Sequence, residues 1–293
     1  MLFRIVFFGS SHYVAPILET LISSSEQHHW QVSAVITQPD RPAGRKQILT
    51  PTPIKQLAQK HGIHVLTPEK ISDPSAIEQI KAIKPDLLVV SYYAQKIPLE
   101  ILNLPIHGSL CVHPSLLPNY RGTSPAQAAI LDNEQETGVT IFLMDKQFDH
   151  GPIITQEKIS ILSTDTNQSL YTKLYQLAAD MLTNVIERYI KGDIKPEEQN
   201  HTLATYSQFL TRESGEVREL VTAHELERMI RAYNPWPGVW MLWRGKRVKI
   251  LKAHGEKEEK LIIDEIQLEG KKPVLFEEFM RGFPDFTLPL KKN

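Results

Sequence analysis

The chain has 293 residues, of which 33 are Lys or Arg and 34 are Asp or Glu, and 41% of it is hydrophobic. At roughly 100–200 residues per domain this is one large or two modest domains, and the composition excludes a disordered, collagen-like or coiled-coil chain. A formal net charge of -1 removes bulk positive charge as a route to nucleic acid, so any RNA contact must come from local clusters. One cysteine, Cys111, excludes an intramolecular disulfide and a multi-cysteine zinc site, and fits a reducing compartment. No apolar run reaches the roughly 18 residues of a membrane span, and the opening residues are too little apolar for a signal peptide. A cytoplasmic protein with no membrane partner is expected.

Ile5 to Phe8 is a short apolar run closed by Gly9 and followed by a helical pattern (Ala15, Leu18, Leu21, Ile22), as for a buried strand feeding a helix. The unit recurs. Val32 to Thr37 is strand-like, Pro53 to His61 helical, Ile63 to Leu66 strand-like, Ser75 to Ile83 helical, and Asp86 to Val90 another buried strand. Strands alternating with helical stretches predict βαβ units and a Rossmann-like parallel sheet, an α/β fold. Ser109 to His113 is one more strand, running into a loop with Pro114, Pro118 and Pro125. Gly138 to Asp145 and Pro152 to Ile161 follow as strands, and Thr164 to Ile190 is the longest helical pattern.

The polar stretch Lys191 to Thr202, with Gly192 and Pro196, is the candidate linker. It divides the chain into residues 1–195 and a smaller, β-rich unit over 205–293. In that second unit Thr222 and Glu225 form a capping-box signature before a helix. Val239 to Lys252 is a hairpin turning at Arg244-Gly245-Lys246, and Leu261 to Leu268 a further strand.

A dinucleotide fingerprint needs three spaced glycines, and only Gly9 is present; Ser11 and Val14 stand at the other positions. The densest stretch runs from Gly108 to Pro125. It places His113 at the C-terminal end of a buried strand, where open α/β sheets put reactive groups. Asp149, in the turn Asp149-His150-Gly151-Pro152, would make a proton-relay pair with His113 if the two loops converge. Spacing alone leaves a loop-capping histidine equally open. His107, His113 and His150 lack zinc-like spacing, so no metal is expected, and no Gly-x-Ser-x-Gly frames Ser115 as a nucleophile.

Val112-His113-Pro114-Ser115-Leu116-Leu117-Pro118 through Arg121-Gly122, with Thr137-Gly138-Val139-Thr140 and Asp149-x-Gly151-Pro152, resembles the folate-dependent formyltransferases. The likeness covers nearly the whole chain and is narrowest to the bacterial branch that acts in translation initiation. Thr37 to Arg45 resembles that branch's tRNA-facing loop; Arg231 to Gly238 and Gly270 to Pro273 resemble the two ends of its C-terminal domain.

The resemblance implies a formyltransferase domain followed by a small OB-like, tRNA-binding barrel. It implies 10-formyltetrahydrofolate as donor and the α-amino group of methionine esterified to initiator tRNA as acceptor, in a monomeric enzyme. It assigns His113 and Asp149 to catalysis. It puts the pterin against the loop holding Tyr93, Ala94 and Ile97, with Ser115, Leu116, Leu117 and Pro118 shaping the donor pocket.

Two departures stand out. The family strand ends Asn-x-His, its amide helping to hold the formyl oxygen, whereas here Cys111 takes that position. A thiol is a weak donor, and losing one such donor typically costs about 2.7–4 kcal/mol of barrier. Between His254 and Leu261 stand only six residues where the family has another pair of strands, so a shortened barrel of three strands is expected.

Arg41, Arg45 and Lys46 form one cationic cluster, and Arg244, Lys246, Arg247, Lys249 and Lys252 another with no acid among them, both suited to phosphate contact. Two alternatives stay open: a formyltransferase acting on an amino sugar nucleotide, and a folate- or tRNA-binding relative whose catalysis lapsed with Cys111.

Overall fold

The computed structural model describes residues 2–44, 46–256 and 260–291. The chain divides into two compact units, neither continuous in sequence. The first holds Met1–Arg121, Gly138–Ile159 and Tyr171–Thr205; the second holds Gly122–Thr137, Ser160–Leu170 and Tyr206–Asn293.

The chain opens with β1 (Phe3–Phe8), α1 (Ala15–Ser23), α2 (Ser25–His28) and β2 (Trp30–Ile36), then a small hairpin of β3 (Arg41–Ala43) and β4 (Ile48–Thr50). It continues through α3 (Pro53–Lys60), β5 (Val65–Leu66), α4 (Pro74–Ile83), β6 (Leu87–Val90), α5 (Leu99–Leu102) and β7 (Ser109–His113). Next come β8 (Arg121–Gly122), α6 (Pro125–Leu131), β9 (Glu136–Leu143), β10 (Ile153–Ser160) and α7 (Asn167–Ile190). Then follow β11 (Tyr206–Ser207), α8 (Ala223–Tyr233), β12 (Val239–Trp243), β13 (Lys246–Glu256), β14 (Lys260–Leu268), β15 (Val274–Leu275) and α9 (Phe276–Gly282).

Seven strands form the main sheet in the order β10-β9-β7-β6-β1-β2-β5. From β5 to β7 every pairing is parallel, and β9 runs antiparallel to β7. The central strands are continuous apolar runs because both sheet faces are covered: Ile5 to Phe8 and Leu87 to Leu88 expose no surface. The outer strand β10 is polar and exposed at Gln156, Glu157 and Lys158, as suits an edge. The chain builds outward from β1 through β2 to β5, then crosses back to β6 and β7, so strand order reverses between β1 and β6. Ligands of open α/β sheets sit outside the carboxyl ends of strands at such a reversal. His113 ends β7 on that side.

The polar stretch expected as a linker is anchored within the first unit. Glu197 exchanges backbone hydrogen bonds with Ile153 at 2.7 and 2.8 Å, and Gln199 is buried.

In the second unit, β12 to β15 make an antiparallel sheet in sequence order. The expected count of three strands is short by one: β15 is a two-residue strand beyond β14. The β12–β13 loop is Arg244-Gly245, both at positive φ (49° and 69°), as a two-residue hairpin requires. α8 begins with the expected capping box, Thr222 and Glu225 each bonding the other's backbone N–H. Trp243, Phe279, Phe283 and Phe286 form its aromatic core, ring centroids 5.0–6.3 Å apart.

Gly138 on β9 permits a close backbone approach between β9 and β10, since a Cβ there would lie 2.1 Å from the Glu157 carbonyl oxygen. Gly138→Ala must therefore part the two strands, and is expected to cost at least ~2 kcal/mol. An unchanged melting temperature would contradict that.

Candidate active site

The site is built where β7 ends. His113 lies in register with Thr140 of β9, and Cys111 with Phe142. The following loop is tied down by Thr140, whose hydroxyl donates to the Ser115 carbonyl at 2.6 Å and accepts from the Leu117 N–H at 3.0 Å. Gln156 adds a bond to the Leu117 carbonyl at 2.7 Å. The Ser115 hydroxyl donates to the Asn119 carbonyl at 2.7 Å, so its proton is committed to the loop. Ser115 and Leu117 are buried, whereas Leu116 and Pro118 are half-buried.

His113 and Asp149 are neighbours. Nδ1 of the imidazole is 3.6 Å from Oδ1 of the carboxylate, and the two side chains are 6% and 13% exposed. The other ring nitrogen, Nε2, donates to the Tyr120 carbonyl at 3.0 Å. A carbonyl only accepts, so Nε2 keeps its hydrogen in both charge states and Nδ1 is the nitrogen that gains or loses one. At 3.6 Å the contact is longer than a direct hydrogen bond, the loose geometry common before substrate tightens a site. Asp149 (φ 51°) and Tyr120 (φ 58°) both occupy the left-handed region, a strain that collects where surroundings dictate conformation. Gly151 is compelled: a Cβ would lie 1.9 Å from the Leu143 carbonyl oxygen.

Cys111, two residues before His113 on β7, is half-buried. Burial pushes its thiol well above the ordinary range, and the charge of Asp149 pushes it further. The group is thus held as S–H, a weak donor rather than a thiolate. Tyr175 of α7 is buried nearby; burial, then Tyr171, Tyr92 and Cys111, raise its phenol, while a hydrogen bond with Ser91 pulls the other way. Tyr13, Tyr92, Tyr171 and Tyr175 form one cluster, with Tyr171 and Tyr175 stacked 6.0 Å apart. Their i, i+4 spacing on α7 was the only sequence signal for this group.

In the loop after β6, Tyr93 packs edge-on against Phe8 at 5.4 Å and Ile97 is buried among core residues. The Tyr93 phenol is pushed far up by burial, and its oxygen has no partner among the described residues. Ala94 is exposed, and Gln95 clamps the loop by accepting from the Ile71 N–H at 2.7 Å. Among the described residues no group of three His, Cys, Asp or Glu could hold a metal ion.

Of the cations, Arg41 is exposed and paired with Glu69 at 2.6 Å, Lys46 is exposed, and Arg45 lies outside the described residues. In the second unit, Arg244 lies 4.6 Å from the Trp243 ring and pairs with Asp285 at 2.6 Å. Arg247 lies 4.2 Å from the Trp240 ring, and its Nε has no partner among the described residues. Lys246 is exposed and Lys249 half-buried, alternating with the buried Val248 and Ile250.

Sequence inspection missed the residues that brace these loops from the expected linker and from just beyond it. Thr205 accepts from the Tyr120 N–H through its hydroxyl at 2.9 Å and from the Arg121 N–H through its carbonyl at 2.9 Å. Gln199 bonds both Asp149 and Gly151 through their carbonyls. No helix among the described residues is long and apolar enough to cross a membrane.

Residues 3–186 match the formyl transferase family, and residues 210–262 match the formyl transferase C-terminal domain. A protein named methionyl-tRNA formyltransferase from Halalkalibacterium halodurans is 38% identical over 95% of this chain and 94% of its own. Another of that name, from Chloroflexus aurantiacus, is 41% identical over 85% of this chain and 79% of its own. The solved structure of methionyl-tRNA formyltransferase from Clostridium thermocellum shares the fold, with a TM-score of 0.61 and 16% identity over 91% of this chain and 99% of that one. Matched over more than half its length, with the paired imidazole and carboxylate at the end of β7, the chain belongs to the formyl transferase family.

Proposed function

We propose that this chain transfers the formyl group of 10-formyltetrahydrofolate to the α-amino group of methionyl-initiator tRNA. The observation that carries the chemistry is the His113–Asp149 pair, with Nδ1 facing the carboxylate and Nε2 spent on Tyr120. The acceptor rests on the relatives' shared name and on the basic segments 41–46 and 244–249, which an amino sugar would not need. Residues 1–195 supply the catalytic part and residues 205–293 the tRNA-binding part, in a cytoplasmic enzyme.

An amino group attacks a formyl carbonyl only as the free amine, so its ammonium proton must leave. Asp149, through Nδ1 of His113 or a held water, accepts that proton and releases it to solvent, so the pair is free to take another. The amine–carbon bond forms, the attacking nitrogen gives a second proton to the Asp149–His113 pair, and that proton goes to the folate nitrogen as its bond to the formyl carbon breaks, leaving a neutral formamide. The Cys111 S–H and backbone donors at the end of β7 face the oxygen on which charge builds. The exposed backbone at Ala94 and the loop from Ser115 to Pro118 supply the donor side, while Tyr93 and Ile97 hold their loop through the core.

Purified protein, labelled 10-formyl donor and charged initiator tRNA should yield labelled tRNA, and Asp149→Asn should lower kcat by about 100- to 10,000-fold. Label passing only to an amino sugar nucleotide, or binding without turnover, would contradict the proposal. Cys111→Asn replaces a weak donor with an amide and should raise kcat about tenfold, which corresponds to ~1.4 kcal/mol of barrier. An unchanged or lower rate would mean that the oxygen is held by another group. Arg45→Ala should raise KM for tRNA severalfold and leave the folate KM alone; the reverse would remove the loop from the acceptor side.

A further inference from the structure

Gln199 bonds the backbone on both sides of His150, from 50 and 48 residues further along the chain. It is 5% exposed. Its Nε2 donates to the carbonyl of Asp149 at 3.0 Å and to that of Gly151 at 2.8 Å. Its Oε1 accepts from Arg121 twice, from Nε at 3.2 Å and from Nη2 at 2.6 Å. An amide nitrogen has two hydrogens and an amide oxygen two lone pairs, so every valence is filled. The orientation follows from the partners: flipped, the amide would set N–H groups against a guanidinium and oxygen against two carbonyls. Arg121 is fixed in turn by His201, Nη2 to Nδ1 at 2.8 Å, and the backbone of Glu197 is bridged to Ile153.

We infer that Gln199 is a positioning residue for formyl transfer, holding the Asp149–Gly151 turn so that the left-handed Asp149 backbone aims its carboxylate at Nδ1 of His113. The inference rests on Asp149 being the proton acceptor. A turn closed on the Leu143 carbonyl by Gly151 fixes one end, and a residue at φ 51° needs its neighbours over-determined to stay there. A carboxylate displaced by about 1 Å can cost roughly 100-fold in rate while substrates still bind. Glutamate cannot substitute, because it keeps the bonds from Arg121 and loses both donors to the turn.

The test uses the full chain carrying Gln199→Met, which keeps volume, and Gln199→Glu, which keeps only the Arg121 side. Both should lower kcat by about 30- to 100-fold with each KM within twofold. Combined with Asp149→Asn, Gln199→Met should add almost nothing, since it acts through Asp149. A full multiplicative loss in the double variant, or wild-type kcat in Gln199→Glu, would overturn the positioning role. Hydrogen exchange supplies a readout independent of the acceptor: the peptide covering residues 145–153 should exchange faster in Gln199→Met, with β1 and β6 unchanged. Unchanged exchange in that peptide overturns the inference. Absence of wild-type turnover on methionyl-tRNA strikes the function proposal instead, and leaves the exchange result to decide this one.

Discussion

An imidazole has two nitrogens, and in this chain one of them is already engaged. The bond from Nε2 of His113 to the Tyr120 carbonyl fixes the tautomer, and with it the direction from which a proton can arrive. What remains is Nδ1, pointed at Asp149 in a setting where both side chains are nearly buried. The same carboxylate adds to burial in keeping Cys111 a thiol rather than a thiolate.

The fold supplies the rigidity this requires. Parallel strands buried on both faces end together, and the loops after β6 and β7 leave from that edge. Each loop is then held by a bond to something distant. Thr140 and Gln156 hold the segment after His113, Thr205 holds Tyr120 and Arg121, and Gln95 holds the loop after β6. Positive φ at Tyr92, Tyr120 and Asp149 marks where this bracing sets backbone conformation against local preference. The second unit has its own logic, with an antiparallel sheet, a capped helix and an aromatic core.

Much of this was legible in the sequence, for reasons that can be named. Ile5 to Phe8 and Leu87 to Val90 are apolar without interruption because each sheet face is covered, and such runs are hard to mistake. The capping box at Thr222 is a purely local signal. His113 and Asp149 were legible as a pair because each sits at a strand end or turn between strands. The short elements were not: α6 and α9 have seven residues each, too few for a helical period to stand out, and β15 has two. The β3–β4 hairpin, with strands of three residues, was hidden in a segment noted for its charges. Gln199 was invisible for a different reason. Its partners lie 48 to 78 residues away, and a glutamine in a polar stretch has no pattern that distinguishes a buried clamp from a solvated linker.

The assignment of the proton is open to direct observation. In protein labelled with 15N at histidine, the two ring nitrogens of His113 can be followed by NMR through a pH titration. The account requires Nε2 to remain protonated throughout, with Nδ1 alone gaining and losing its hydrogen. A neutral His113 protonated on Nδ1, with Nε2 the nitrogen that titrates, would contradict it.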